Sequence, residues 1–463
     1  EGWLQAHPPL DIDELFQLLK KSEIERIFRF SASARQRRKA ELLDSLRHEY
    51  AEARPLPVWH AEMDECSYAV RVAPLCERLR LMFFGNLHQD WSEFVLSDLG
   101  IYRYEQVDFL PSSRGFLCRR DIEDYLHLHR CRERYDQGEY LDDILPDIPA
   151  APLENSWLEG RRNKLLFRIA QQYERCDEPE HALSIYRSCS YPGARLRMLR
   201  VLERRGDIDE AIALAEAACN APESEAESQA LQRMLPRLRR KRGHANTAAN
   251  KRIKPNSILL TLPHSAEWTS VESAVCAHFW QDDAPVVYVE NALLNSLFGL
   301  LCWPAIFAAL PGAFFHPFHH GPADLNSPDF HQRRAGLFAD CLAQLESGRY
   351  RQTIVDTFHL KHGIQSPFVF WQMLDEALLT MALDCMPVAH LRKCFERILL
   401  DIPANRSGLP DLIQFWPGER RYRMIEVKGP GDRLQDNQLR WLQYFAQHQM
   451  PVAVCYVQWE DAA

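Results

Sequence analysis

The 463-residue sequence contains no Cys-x-x-Cys pair, although 13 cysteines are scattered from Cys66 to Cys455. That absence excludes a paired-cysteine zinc site or a redox dithiol, and the odd count is read as reduced, mostly buried thiols of a cytosolic protein. A basic stretch leading into an apolar one is also missing near the start, where Glu1, Asp11, Asp13 and Glu14 stand instead, so no secretion signal is expected. Long hydrophobic runs are nearly absent. The uncharged segment from Leu297 to Phe315 is interrupted by Gly299, Pro304, Pro311 and Gly312 and has no flanking basic cluster, which predicts a buried helix of a soluble domain rather than a membrane span. Net positive charge is lacking too: 55 Lys and Arg against 64 Asp and Glu leave −9, so any nucleic-acid surface must be a local basic patch. With 46% hydrophobic and 26% charged residues, most of the chain should fold, into two to four domains.

Ile12, Leu15, Phe16 and Leu19 share one helix face. A second short helix is expected over residues 37–47, where Arg37, Arg38 and Lys39 lead into Leu42, Leu43 and Leu46. The pair resembles a SAP-type DNA-binding module without the glycine usual in its turn; a solvated helical hairpin is the alternative. Sliding the chain by 29 residues places Tyr173-Glu174-Arg175 on Leu202-Glu203-Arg204, and Glu180-His181-Ala182-Leu183 on Asp209-Glu210-Ala211-Ile212. This predicts two helical hairpins of the tetratricopeptide (TPR) kind, capped by neighbouring helices. From Arg233 to Lys254 there are nine cations and no acid, read as an exposed linker whose Arg240, Lys241, Arg242, Lys251, Arg252 and Lys254 attract phosphate.

The chemistry concentrates near the end of the chain. Pro410-Asp411, then Glu426-Val427-Lys428, has the spacing of two strands joined by a turn at Pro417-Gly418-Glu419. Side chains alternate along a strand, so Glu426 and Lys428 share a face while Ile425 and Val427 take the other. Asp411, opening the adjoining strand, can bring a second carboxylate, and paired carboxylates select hard divalent cations such as Mg²⁺ or Mn²⁺. A lysine beside them can orient an attacking water and offset charge in phosphodiester hydrolysis. A helix follows over about 434–448, with Gln438 on its inward face as a supporting group, and Val452–Val457 alternates as a last strand. The rival cluster His316-Pro317-Phe318-His319-His320, with Asp324, lies in a proline-marked loop unsuited to metal.

The strings Arg406-Ser407-Gly408-Leu409-Pro410-Asp411-Leu412, Ile425-Glu426-Val427-Lys428-Gly429-Pro430-Gly431-Asp432-Arg433-Leu434 and Gln438 to Trp441-Leu442 resemble the VRR-type nuclease domain of the PD-(D/E)XK superfamily. Upstream, Met82-Phe83-Phe84-Gly85-Asn86 and Glu93-Phe94-Val95-Leu96-Ser97-Asp98-Leu99-Gly100 extend the similarity to the Fanconi-associated nuclease family, in its bacterial form. The resemblance implies a structure-specific DNA endonuclease with 5′ exonuclease activity, acting on 5′ flaps and in interstrand cross-link repair. It assigns Asp411, Glu426, Lys428 and Glu290 to catalysis, and Glu290, Asp411, Glu426 and Val427 to the metal. Glu290 is the sole acid opening the long apolar helix, and buried charge is retained when paired or metal-bound. The family recognises a 5′-terminal phosphate, for which the later cations or Arg114, Arg119 and Arg120 are available. The ubiquitin-binding zinc finger of animal members has no counterpart.

The expected architecture is therefore multidomain and mainly α, ending in an α/β PD-(D/E)XK nuclease domain. It divides into a helical N-terminal region (1–150) with Arg38 and Lys39 as DNA contacts, repeats (151–235), basic linker (236–256) and nuclease domain (257–463). The expected partner is branched DNA with a 5′-phosphate end, bound by a monomer in a bacterial cytoplasm with its nucleoid, or in a nucleus; a protein partner for the repeats is left open and no membrane is involved. Two other functions fit less of the pattern: a non-catalytic repair scaffold and a junction resolvase, which would need paired active sites.

Overall fold

A computed structural model describes residues 3–28, 30, 38–47, 49–61, 66–108, 113–243, 256–263 and 268–460. The chain divides into two units, Glu1–His88 and Gln89–Ala463. In the first, Asp11 caps the helix Ile12–Leu18: its side chain accepts from the Glu14 N–H at 2.8 Å while Glu14 accepts from the Asp11 N–H at 3.0 Å. Ile12, Leu15, Phe16 and Leu19 are all buried, as their spacing predicts. Between this helix and the expected second one, Lys39–Leu46, stands a helix not read from the sequence, Lys21–Ile27. Trp59, on a short helix Leu56–Trp59, closes the core by donating its indole N–H to the Leu10 carbonyl at 3.0 Å. Four short strands complete the unit: β1 (Leu4–Ala6), β2 (Pro9–Leu10), β3 (Arg54–Pro55) and β4 (Tyr68–Val70), pairing β1 with β4 and β2 with β3. Lys39 donates to the Leu19 carbonyl at 2.7 Å and so ties two helices together, whereas Arg38 is exposed.

The repeats form the helices Ser156–Arg175, Pro179–Ser188, Ala194–Arg205 and Ile208–Asn220. Ala182 and Ala211, one repeat apart, are both fully buried where the helices approach. Their core also takes in Leu128, Cys131, Ile144 and Ile148, so position 150 is no structural boundary: the helix Arg119–Asp136 belongs with the repeats. The expected linker is helical through Lys241, in Glu225–Lys241. Its cations are not without counter-charges: Arg237 and Lys241 meet Glu203, Arg239 meets Glu216, Arg242 meets Asp209 and Arg233 meets Asp436. Arg240 is exposed, while Lys251, Arg252 and Lys254 lie outside the described residues.

The last region carries a five-stranded sheet in the order β5-β9-β8-β7-β6, formed by β5 (Asn256–Leu262), β6 (Val286–Tyr288), β7 (Leu412–Trp416), β8 (Arg421–Lys428) and β9 (Val452–Trp459). β9 runs parallel to both β5 and β8, while β7 is antiparallel to β8 and β6. Side chains alternate as expected: Met424 faces a large core of inserted helices, and Ile425 and Val427 face the helix Val271–Phe279. The uncharged stretch does not make one helix. Pro304, which suits a helix start, opens a short helix Trp303–Ile306 after Leu293–Leu301 has ended, and all nine residues of the latter are buried. Among the described residues no helix is long and apolar enough to cross a membrane.

Candidate active site

Asp411 ends the loop that enters β7, and Glu426 and Lys428 lie at the far end of β8, its antiparallel neighbour. Register therefore brings the three side chains to one end of the sheet: Leu412 pairs with Ile425, leaving Asp411 opposite Glu426. All three are buried, Glu426 completely. The Val427 N–H donates to Asp411 Oδ2 at 2.7 Å and holds that carboxylate across the strands. Lys428 Nζ lies 2.6 Å from Glu426 Oε1 but directs its hydrogen bond to the Val427 carbonyl at 2.9 Å. Glu426 thus has an ionic neighbour, while neither of its oxygens receives a properly directed hydrogen bond.

Burial, and then the charge of Asp411, pushes the Glu426 carboxyl up to about 8 against the opposing pull of Lys428. Burial likewise raises Asp411, to about 6, although the Val427 N–H and Lys428 oppose it. One ammonium does not suffice to keep both desolvated carboxyls ionised near neutral pH. A hard divalent cation would, and the donors suit one: two carboxylates, one with an oxygen that has no partner beside the lysine-bound one, and the main-chain carbonyl of Val427 between the two β8 side chains. Among the described residues, no three His, Cys, Asp or Glu side chains are gathered closely enough to enclose an ion by themselves. The convergent nucleus is the pair Asp411–Glu426.

Glu290 is placed differently from its expected position. It is exposed, in the turn between β6 and the helix that starts at Leu293, because Asn291 takes a left-handed conformation (φ 53°) and delays the helix. The Tyr288 hydroxyl donates to Glu290, whose charge still reaches both buried carboxylates and raises their pKa values. Burial therefore gives no reason for this acid; its proximity to the pair does. Gln438 is half-buried, not on the core face of the helix: its Oε1 accepts from the Gln435 N–H at 2.9 Å and caps the helix Asp436–Gln447. Asp324 is engaged by Arg333 and Arg334, and His316 Nδ1 accepts from the Phe318 N–H at 3.1 Å.

Three contributors escaped the sequence reading: Asn291, Asn295 and Gly408. Gly408 has φ 85°, and a β-carbon there would stand 2.7 Å from the Asn437 backbone carbon, so glycine alone lets the Asp411 loop pass the last helix. Gly408→Ala is expected to destabilise the protein by about 2 kcal/mol or more in urea unfolding, from left-handed strain plus the clash. A cleft of about 680 Å³ opens at the same end of the sheet, walled by Glu272, Trp280 and Tyr288 with no Lys or Arg in its lining.

The VRR-NUC domain model matches residues 345–459, which include Asp411, Glu426 and Lys428 but not Glu290, and the Fanconi anemia-associated nuclease SAP domain model matches residues 9–59. The Fanconi-associated nuclease 1 homolog of Pseudomonas aeruginosa is 56% identical over 458 residues, covering 99% of this chain and 82% of that protein. The Arabidopsis thaliana homolog is 23% identical over 505 residues, covering 96% of this chain and 56% of its own length. The crystal structure of paFAN1 bound to 2nt 5′ flap DNA with gap superposes with a TM-score of 0.94 at 56% identity, over 100% of this chain and 85% of that one. Its complex with 1nt 5′ flap DNA with gap gives 0.92. Two domain matches in the expected places, and one relative that is more than half identical across nearly the whole chain, assign the protein: it belongs to the Fanconi-associated nuclease family.

Proposed function

We propose that the chain is a structure-specific DNA nuclease that hydrolyses phosphodiesters of 5′-flap DNA, with 5′ exonuclease activity, in interstrand cross-link repair. The observation that carries this is the buried pair Asp411–Glu426, in which a single lysine leaves the Glu426 carboxyl protonated near neutral pH and a divalent cation would ionise it. The family implies a divalent metal; Mg²⁺ or Mn²⁺ is our assignment, from the all-oxygen donor set. Such an ion supplies charge to the phosphate oxygens and a water of lowered pKa. Asp411, Glu426 and the Val427 carbonyl would hold it, with Glu290 as a further carboxylate ligand from the turn. Lys428 holds the nucleophile in place and stabilises charge on the phosphate. The 5′ flap is taken as substrate because the 56%-identical paFAN1 was crystallised with it. SAP-domain contacts to duplex DNA, TPR-like repeats, a monomeric state and a bacterial nucleoid location complete the proposal.

Lys428→Met is expected to lower the single-turnover rate by roughly 100-fold with flap affinity nearly unchanged, since its role is in the transition state. The test of the function as a whole is purified protein with labelled flap, nicked, splayed and four-way substrates, with and without a 5′ phosphate, in Mg²⁺ and Mn²⁺. Preferential cutting of 5′ flaps supports the proposal. An intact flap in both metals would leave a DNA-binding scaffold, and preference for four-way junctions a resolvase.

A further inference from the structure

Glu290 and Asp411 are 121 positions apart, with the inserted helices between them, yet on the function proposed above both carboxylates would serve one ion, which demands precise placement. Neither carboxylate sits in the middle of a rigid element: Glu290 is in a turn and Asp411 at the end of a loop. Four hydrogen bonds cross from one segment to the other or brace the crossing. The Val289 N–H donates to the Asp411 carbonyl at 2.8 Å. Asn291 Oδ1 accepts from the Leu409 N–H at 3.1 Å. Asn295 Nδ2 donates to the Arg406 carbonyl at 2.9 Å and to the Asn291 carbonyl at 2.6 Å, so one buried amide grips both segments. Asn295 is 1% exposed, on the first full turn of the helix Leu293–Leu301.

Asn291 is suited to its place for a second reason. Its φ of 53° is a conformation that asparagine tolerates far better than most residues, because its short amide bonds locally. The left-handed turn points Glu290 out of the helix and toward the sheet end, while the Asn291 side chain reaches the loop two residues before Asp411. A helix starting at Glu290 would have carried the acid elsewhere.

We propose that Asn291 and Asn295 are positioning residues: they lock the turn of Glu290 to the loop of Asp411 and so set the spacing of the metal-binding carboxylates. This rests on the reading of those acids as metal ligands. Neither asparagine is required to touch DNA or the ion; both act through the two segments they join. The arrangement joins two stretches that lie outside regular elements into one braced unit, which pre-organises the site before metal arrives.

The test is Mn²⁺ binding by calorimetry without DNA, together with single-turnover cleavage of a 5′ flap, for Asn291→Ala, Asn291→Gly, Asn291→Asp and Asn295→Ser. Asn291→Ala loses both the acceptor and the favoured backbone; it should weaken Mn²⁺ binding about tenfold and lower kcat, with flap affinity measured in EDTA unchanged. Asn291→Gly keeps the backbone alone and should fall between Ala and the parent. Asn291→Asp keeps acceptor and backbone and should bind Mn²⁺ at least as tightly as the parent. If a melting curve shows Asn291→Ala unfolded, the Gly and Asp pair decides, since glycine carries this φ without strain. Parental Mn²⁺ affinity and kcat in Asn291→Gly and Asn295→Ser, or equal impairment in Asn291→Gly and Asn291→Asp, would overturn the proposal. Undiminished Mn²⁺ binding in Asp411→Asn would instead contradict the metal reading itself, and the two failures are distinct.

Discussion

Asp411→Ala removes flap cleavage, by roughly 1,000-fold or more in single-turnover rate, and leaves flap affinity in EDTA within about twofold. The size follows from what the side chain does: it is one of two carboxylates in the convergent pair, and a misplaced or lost ion forfeits several kcal/mol of stabilisation of the developing phosphate charge. Affinity is spared because Asp411 is buried, with one oxygen on the Val427 N–H, and a repelling carboxylate contributes no attraction to a polyanion. Measurement needs only end-labelled 5′ flap in Mn²⁺ beside a binding titration. Equal losses of rate and affinity would show that Asp411 supports the fold or the DNA surface rather than the reaction.

Glu426→Gln has two effects of opposite sign. It should abolish cleavage as Asp411→Ala does, and it should raise the melting temperature of the metal-free protein at pH 9. The folded carboxyl titrates at about 8, above its ordinary range, so between roughly pH 4.5 and 8 the native state binds more protons than the unfolded state. Stability contributed by the protonated form is complete at low pH and is lost as pH rises through 8. The loss is on the order of a few kcal/mol for a group this buried. Glutamine keeps the shape without the charge, so the parental fall in melting temperature between pH 5 and pH 9 should shrink in the variant. Metal addition at pH 9 should raise the parental melting temperature and leave that of the variant nearly unchanged. A pH profile unaltered by Glu426→Gln would mean that the buried charge is compensated by the chain alone.

How far this could be read in advance depends on the length scale of each interaction. The face shared by Glu426 and Lys428 was legible because strand periodicity is strictly two, and the turn at Pro417-Gly418-Glu419 set the return of the chain. Ile12, Leu15, Phe16 and Leu19 were legible for the same reason at helical spacing. β6, with three residues, carries too little pattern to be seen, and β5 finds its partner β9 nearly two hundred residues later. The counter-charges of the basic run were hidden because they lie far away in sequence: Arg237 pairs 34 residues back with Glu203, Arg239 pairs 23 back with Glu216, and Arg233 meets Asp436 on the last helix. A composition window does not contain them.

The placements of Glu290 and Gln438 differ from the expected ones for another reason. Apolar neighbours suggested that both face inward, but a backbone feature decides each. The left-handed Asn291 lifts Glu290 out of the helix, and the start of the last helix at Asp436 turns Gln438 into a capping residue. Asparagine ahead of an apolar run and glutamine three residues past a helix boundary were the available signals, readable once the boundaries are known.

The central claim is that Asp411 and Glu426 together hold a divalent cation. It is tested most directly by electron paramagnetic resonance of Mn²⁺ titrated into the parental protein, Asp411→Asn and Glu426→Gln at pH 8, without DNA. The parental protein should deplete the free-ion spectrum at concentrations where both variants leave it nearly intact. Equal depletion by all three proteins would contradict the claim.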